Sequence, residues 1–228
     1  MQRTRSTPSS ASTNNQRSLF KHVKEPWEYV VIDNFLSPER WQTIKNLAAI
    51  ELDKYEHWSA DEKIYFNKAN KPRNKYTSYL EEDILPECND LFFDLDLPHR
   101  GYQGKLKKIL HWAISPPHWY YPTHIDNRSR ISTSILYVSP DESDGTVIAR
   151  NPSTNDDGDH IAADQEDHYN YMTDWKPNSL FFHNPIPNVS WHAIKNTTDK
   201  PRVTLNSFYV QPDLVTTGRC YSDYILDI

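Results

Sequence analysis

The feature that most constrains this chain is a series of short β-type runs through its second half. Ile109–Ile114, Ile131–Val138, Gly145–Ala149, Ser179–His183, Ser190–Ile194 and Arg202–Val210 are rich in β-branched and aromatic residues, with Pro, Asn, Asp and Ser between them. Runs of that length in series belong to a sandwich or a small barrel. At 228 residues the chain supports one domain with a full core and does not require two. Hydrophobic residues make up 37% and aromatic residues 13%, so large rings carry much of the core.

The first half reads differently. Glu28–Asp33 is strand-like. Ser37 as N-cap, Pro38 at the first helical position and Glu39 in the first turn then start a helix that runs to about Lys54. Trp41, Ile44, Leu47 and Ile50 are its expected apolar face. A second helix is expected over Tyr79–Phe93, while residues 55–80 give no clear pattern. Residues 1–22 lack acids and nearly lack hydrophobes, so they cannot offset their own ordering entropy and are expected to form a flexible polar tail. A single domain is expected over 23–228, with its β core at about 107–212. An Asp/Asn-rich loop over about 139–176 has the length of a lid or binding loop.

Charge and composition exclude several classes. A net charge of −6 argues against a general nucleic-acid partner. No stretch reaches the roughly 18 apolar residues of a membrane span. Cys88 and Cys220 match no metal or redox spacing and read as reduced thiols. The tail lacks the apolar core of a secretory signal, and the expectation is a soluble cytoplasmic protein. Oligomeric state is left open.

The chemistry sits in two segments. In Pro122-Thr-His124-Ile-Asp126-Asn127, residues i and i+2 of an extended chain present an imidazole and a carboxylate to one side. Alone this means little, because about one His-x-Asp/Glu is expected by chance at this composition. His192 follows in a second strand-like stretch, and Arg202 stands ten residues beyond it. Two histidines and one carboxylate can hold one face of an octahedral iron(II) and leave three positions open. A guanidinium nearby can clamp a carboxylate bidentately. The turn cluster Asn196–Pro201 is expected to form a hairpin that returns Arg202 to His192. Tyr121 is placed to face the pocket and Trp191 to face the core. His111, His118 and His183 either line that pocket or serve as structural histidines. His160 and His168 lie in an acidic stretch without the EF-hand pattern and read as solvated.

Together these residues resemble the 2-oxoglutarate- and iron(II)-dependent oxygenases, whose pattern is His-x-Asp, a distal His and a basic residue further on. Within that superfamily the chain is similar to the prolyl-hydroxylase-like branch. Thr133 and Tyr137 stand in the strand after His-x-Asp, Gly145-Thr146 follows, and Pro177-Asn178-Ser-Leu-Phe-Phe182 matches a later element, with Asn178 where the pattern has Gly. The resemblance covers about residues 107–212. It implies a mostly β, double-stranded β-helix (jelly-roll) core with N-terminal helices packed on one sheet. It also implies Fe(2+) on His124, Asp126 and His192, with 2-oxoglutarate chelating that iron. The far carboxylate of 2-oxoglutarate would meet Arg202, helped by the hydroxyl of Tyr137 or Thr133. O2 would be the oxidant, with ascorbate in support. The implied reaction hydroxylates an unactivated C–H bond and decarboxylates 2-oxoglutarate to succinate and CO2. An intact Asp126 favours hydroxylation over halogenation. The substrate is expected to be a peptidyl residue, proline first, or a small amino-acid-like metabolite. Two alternatives stay open: a non-catalytic jelly-roll binding protein, and a cupin-type metalloenzyme that uses no 2-oxoglutarate.

Overall fold

Inward and outward side chains alternate along the runs and sort them into two facing antiparallel sheets. The structure, a computed structural model, describes residues 20–57, 76–79, 85–88, 106–127, 129–149, 169–211 and 226–227. In chain order the elements are β1 (Phe20–Val23), β2 (Tyr29–Ile32), α1 (Pro38–Glu56), β3 (Tyr76–Tyr79), β4 (Lys107–Ser115), β5 (Trp119–His124) and β6 (Arg130–Ser139). They continue with β7 (Thr146–Ala149), β8 (Tyr169–Met172), β9 (Leu180–His183), β10 (His192–Asn196), β11 (Arg202–Val210) and β12 (Leu226–Asp227). The larger sheet has the order β1-β2-β9-β6-β11-β4-β12, with β3 also on β4; the smaller has the order β5-β10-β7-β8. This is the double-stranded β-helix expected from the resemblance.

The central strands of the large sheet, β4, β6, β9 and β11, are covered on both faces and are buried almost throughout. On the outer face Trp112, Ile114, Leu136, Val138, Phe182 and Leu205 pack against Ile44, Ala48 and Tyr55 of α1. On the inner face Tyr29, Ile135, Tyr137 and Phe181 meet Trp27 and Ile148 of the smaller sheet's side. The two-residue period of a strand thus separates a helix-facing layer from a site-facing layer. The Trp27 indole donates to the carbonyls of Ala149 at 3.2 Å and Trp191 at 3.1 Å, pinning the start of β2 to β7 and to the residue before His192.

The helix begins where expected: the Ser37 side chain accepts from the Arg40 amide, and Pro38 opens the first turn. Its buried face is Ile44, Ala48, Glu51 and Tyr55, however, and Ile50 is 54% exposed. At 3.6 residues per turn the nine steps from Trp41 to Ile50 carry about 180° around the axis, so both cannot face one sheet.

Other expectations need correcting. The polar tail does not extend to residue 22, since Phe20 to Val23 pair with Ile32 to Tyr29; residues 1–19 lie outside the described residues. Tyr79 belongs to β3, paired opposite His111, and does not start a helix. Most of the remaining 80–93 segment is outside the described residues. The 139–176 stretch is not one loop, because it contains β7 and β8, which pair with each other. Cys220, His160 and His168 also fall outside, whereas Cys88 is buried.

Asn178 explains its own departure from glycine. Its φ of 67° lies in the left-handed region, which Asn tolerates better than most residues. Its amide accepts from the Leu36 N–H and donates to the Leu36 carbonyl, each at 2.9 Å. Glycine would keep the turn and lose both bonds. Gly145 is required by close approach: a Cβ there would overlap the Thr173 carbonyl oxygen.

Candidate metal centre and co-substrate pocket

His124 closes β5 and His192 opens β10, and the two stand opposite each other in the register of the small sheet. Their rings lie 4.4 Å apart between centroids. Asp126 follows β5 and turns its carboxylate into the same space. One ligand atom from each of His124, Asp126 and His192 lies within 4.8 Å of the others, so a single ion can be shared by all three. Asp126 is 4% exposed and His192 3%. A buried carboxylate between two imidazoles is the donor set that suits a divalent transition metal.

Hydrogen bonds orient two of the three candidate ligands, His192 and Asp126. His192 Nδ1 lies 3.0 Å from the Ser190 carbonyl, which fixes the proton there and leaves the Nε2 lone pair for a metal. Burial depresses the His192 imidazole to about 4, although the nearby Asp126 carboxylate opposes the shift, and the ring is neutral at physiological pH. On Asp126, burial works against ionisation, but Arg130, His183 and His192 outweigh it and hold the carboxyl well below its usual range. Arg130 donates to Asp126 Oδ1, and the Thr133 hydroxyl donates to Oδ2 at 2.6 Å.

Arg202 heads β11 opposite Ser115 of β4 and is 1% exposed. Its Nε donates to the Asp144 carbonyl at 3.0 Å, and its guanidinium lies 4.9 Å from the Trp175 ring centroid and 5.6 Å from that of Tyr137. Nη2 is buried with no hydrogen-bond partner, and among the described residues no carboxylate pairs with this cation. Burial lowers the guanidinium to about 10. An arginine buried at this cost with a donor left over is the counterpart of an anionic ligand.

The structure brings most of the expected site residues together but changes what some of them do. The Thr133 hydroxyl, expected to assist a co-substrate carboxylate, is given to Asp126. The Tyr137 hydroxyl lies 2.7 Å from Thr146 Oγ1 and 2.8 Å from Thr173 Oγ1, and it accepts from the Thr146 amide at 3.1 Å. One donor and two lone pairs are then fully used, and the residue ties β6 to the start of β7. Its ring stacks on Trp175 at 4.7 Å and forms one wall beside Arg202. Tyr121 sets its ring edge-on to His124 at 4.5 Å. The expected 192–202 hairpin is absent: β10 pairs with β5 and β7, β11 with β4 and β6, so the chain crosses from one sheet to the other.

Several contributors were not foreseen. Arg130 is four residues after Asp126, a spacing that carries no strand signal. Trp175 and Thr173 follow β8, which was unassigned. Of the three flagged histidines, His183 lies wholly buried beside Asp126, and His111 is on the inner face near Asn206. His118 sits in a turn and pairs with Asp199 at the surface.

The fold and the triad define the class of protein to which this architecture is akin. No protein-family model matches the chain, and no curated protein matches it in sequence. Solved structures do match in fold. One is a prolyl hydroxylase from Trichoplax adhaerens in complex with a hypoxia inducible factor peptide fragment, at a TM-score of 0.56 and 14% identity over 84% of this chain and 87% of that one. Another is the viral collagen prolyl hydroxylase of Paramecium Bursaria Chlorella virus-1 in its 2-oxoglutarate complex, at 0.50 and 16% over 79% and 94%. A third is the non-heme α-ketoglutarate-dependent epimerase SnoN of nogalamycin biosynthesis, at 0.51 and 14% over 84% and 87%. The chain therefore has the double-stranded β-helix fold of 2-oxoglutarate-dependent oxygenases. Among the described residues no helix is long and apolar enough to cross a membrane.

Proposed function

We propose that this protein is a 2-oxoglutarate- and iron(II)-dependent dioxygenase that hydroxylates an unactivated C–H bond. The observation that carries the reading is Arg202, a buried cation with a spare donor, in the same barrel interior as the His124, Asp126 and His192 cluster. Iron(II) bound by that cluster would supply the oxygen-activating chemistry. The substrate C–H becomes C–OH, one atom of O2 entering the product and the other entering succinate, as 2-oxoglutarate loses CO2.

The chain's own residues account for binding and orientation. Thr133 and Tyr137 mark the two ends of the interior: Thr133 holds Asp126, and Tyr137 with Trp175 flanks Arg202. Four residues of strand separate them, about 13 Å. A five-carbon dicarboxylate would lie along that span, between the metal cluster and Arg202. Arg202 would take its far carboxylate, and the surrounding rings would exclude water and strengthen the ion pair. A cupin-type enzyme without 2-oxoglutarate has no use for this buried cation, and a binding protein without chemistry has no use for the triad. The substrate class remains a peptidyl residue or a small amino-acid-like molecule; the peptide-bound prolyl hydroxylase with this fold favours the first.

The test is succinate release from 2-oxoglutarate under air with iron(II) and ascorbate, across a panel of prolyl peptides and free amino acids. His124→Ala and Arg202→Ala serve as inactive controls. Turnover that survives either substitution would falsify the assignment.

A further inference from the structure

We propose that His183 is a positioning residue that restricts Asp126 to binding metal through one oxygen. It thereby keeps open the coordination position that a chelating carboxylate would occupy. This rests on the metal-centre reading above.

The argument is a count of lone pairs. His183 ends β9 directly opposite Thr133 of β6, with no exposed surface. Its Nε2 lies 3.5 Å from Asp126 Oδ2, and neither ring nitrogen has a well-aligned hydrogen-bond partner among the described residues. Trp27 at 5.1 Å, His192 at 5.3 Å and Phe181 at 5.4 Å between ring centroids hold the imidazole in place. An imidazole carries at least one N–H, and leaving it unpaired in a dry interior is unfavourable. Oδ2 is the acceptor that Nε2 faces. A carboxylate oxygen offers two lone-pair sites. On Oδ2 one is taken by Thr133, and the other is open to an N–H from His183 Nε2, 3.5 Å away. On Oδ1 Arg130 takes one, and the second is left on the oxygen that faces His192 Nε2 at 4.0 Å. Only Oδ1 can then reach the metal. Without the His183 donor, Oδ2 regains a free lone pair and the carboxylate can turn to chelate with both oxygens.

Cobalt(II) is the probe, because it reports coordination in its visible spectrum and does not oxidise in air as iron(II) does. The wild type, His183→Gln and His183→Phe are titrated with cobalt(II), and metal-free unfolding midpoints are recorded for each. Gln retains an N–H at similar reach, whereas Phe fills the space without one. The expected result is affinity and spectrum close to wild type for His183→Gln. For His183→Phe, the spectrum should change, because a second carboxylate oxygen can then bind the metal. If the Phe variant does not fold, His183→Met provides a donor-free side chain of similar bulk. Equal behaviour of the Gln and donor-free variants overturns the role of His183 while leaving the metal centre intact. Failure of the wild type to bind cobalt(II), or unchanged binding in Asp126→Ala, overturns both.

Discussion

Arg202→Met separates what this residue does for binding from what it does for folding. Arg202 is 1% exposed, and burial lowers its guanidinium from the usual arginine range to about 10. At 1.36 kcal/mol per pH unit, the charged form is destabilised in the fold by about 3 kcal/mol relative to the unfolded chain. Because the folded value is the lower one, this penalty is fully present below pH 10. It is relieved only as pH rises above 10 toward the value of the unfolded chain, so it applies in full at pH 7. Methionine removes it. The same change forfeits the hydrogen bond to the Asp144 carbonyl, about 1 kcal/mol, and the contacts with Trp175 and Tyr137, about 1–2 kcal/mol. The net effect on the unliganded fold is close to zero, where truncating an ordinary buried side chain costs about 2–5 kcal/mol. Binding behaves in the opposite way. Removing one partner of a buried ion pair costs at least about 2 kcal/mol, or roughly 30-fold in affinity. Urea unfolding of the manganese(II)-loaded protein, with and without 2-oxoglutarate, reads both quantities. At a ligand concentration 100 times its Kd the wild type should gain about 2.7 kcal/mol, and the variant less than about 1 kcal/mol at the same concentration. A variant that loses more than about 2 kcal/mol without ligand, or that 2-oxoglutarate stabilises as fully as the wild type, refutes the reasoning.

Tyr137→Phe should cost about 1–3 kcal/mol of stability through its threonine and amide partners, while 2-oxoglutarate affinity changes by less than about threefold; an affinity loss matching that of Arg202→Met would return the hydroxyl to the co-substrate. Asn178→Gly should lower the unfolding free energy by about 1–2 kcal/mol, and Asn178→Ala by more because of the positive φ. A Gly variant more stable than wild type contradicts the account of its bonds to Leu36. His192 is depressed from 6.5 to about 4, so its neutral form is favoured in the fold. Its contribution to metal-free stability is full above pH 6.5 and falls as pH drops toward about 4. His192→Phe should flatten the stability–pH slope in that window, and an unchanged slope excludes His192 as its source.

The core strands were legible because both faces of the large sheet are covered and its β-branched and aromatic runs stand out against Pro, Asn and Asp. The candidate metal ligands and Arg202 were legible as residue types at a spacing, though no local pattern says that β10 and β11 belong to different sheets. Partner choice was less accessible. Thr133 and Tyr137 were expected to help hold a co-substrate carboxylate, but a hydroxyl's partner is set by what the rest of the fold brings to it: Asp126 in one case, Thr146 and Thr173 in the other. Arg130 and His183 acquire meaning only when Asp126 folds back between β6 and β9. The edge strands β1 and β8 are four residues each and carry too little alternation to be seen. Of the expected α1 face, Trp41, Ile44 and Leu47 do pack on the core, and Ile50 does not because steps of three drift around a helix of 3.6 residues per turn.

The most direct test is anaerobic equilibrium binding of 2-oxoglutarate to the wild type, with iron(II) present and absent. If His124, Asp126 and His192 hold the iron and Arg202 anchors the dicarboxylate, one molecule should bind per chain only when the metal is present. Binding should then disappear in Asp126→Ala and weaken by roughly 30-fold or more in Arg202→Met. Binding that is indifferent to iron, that persists in Asp126→Ala, or that is undiminished in Arg202→Met, would contradict the central claim.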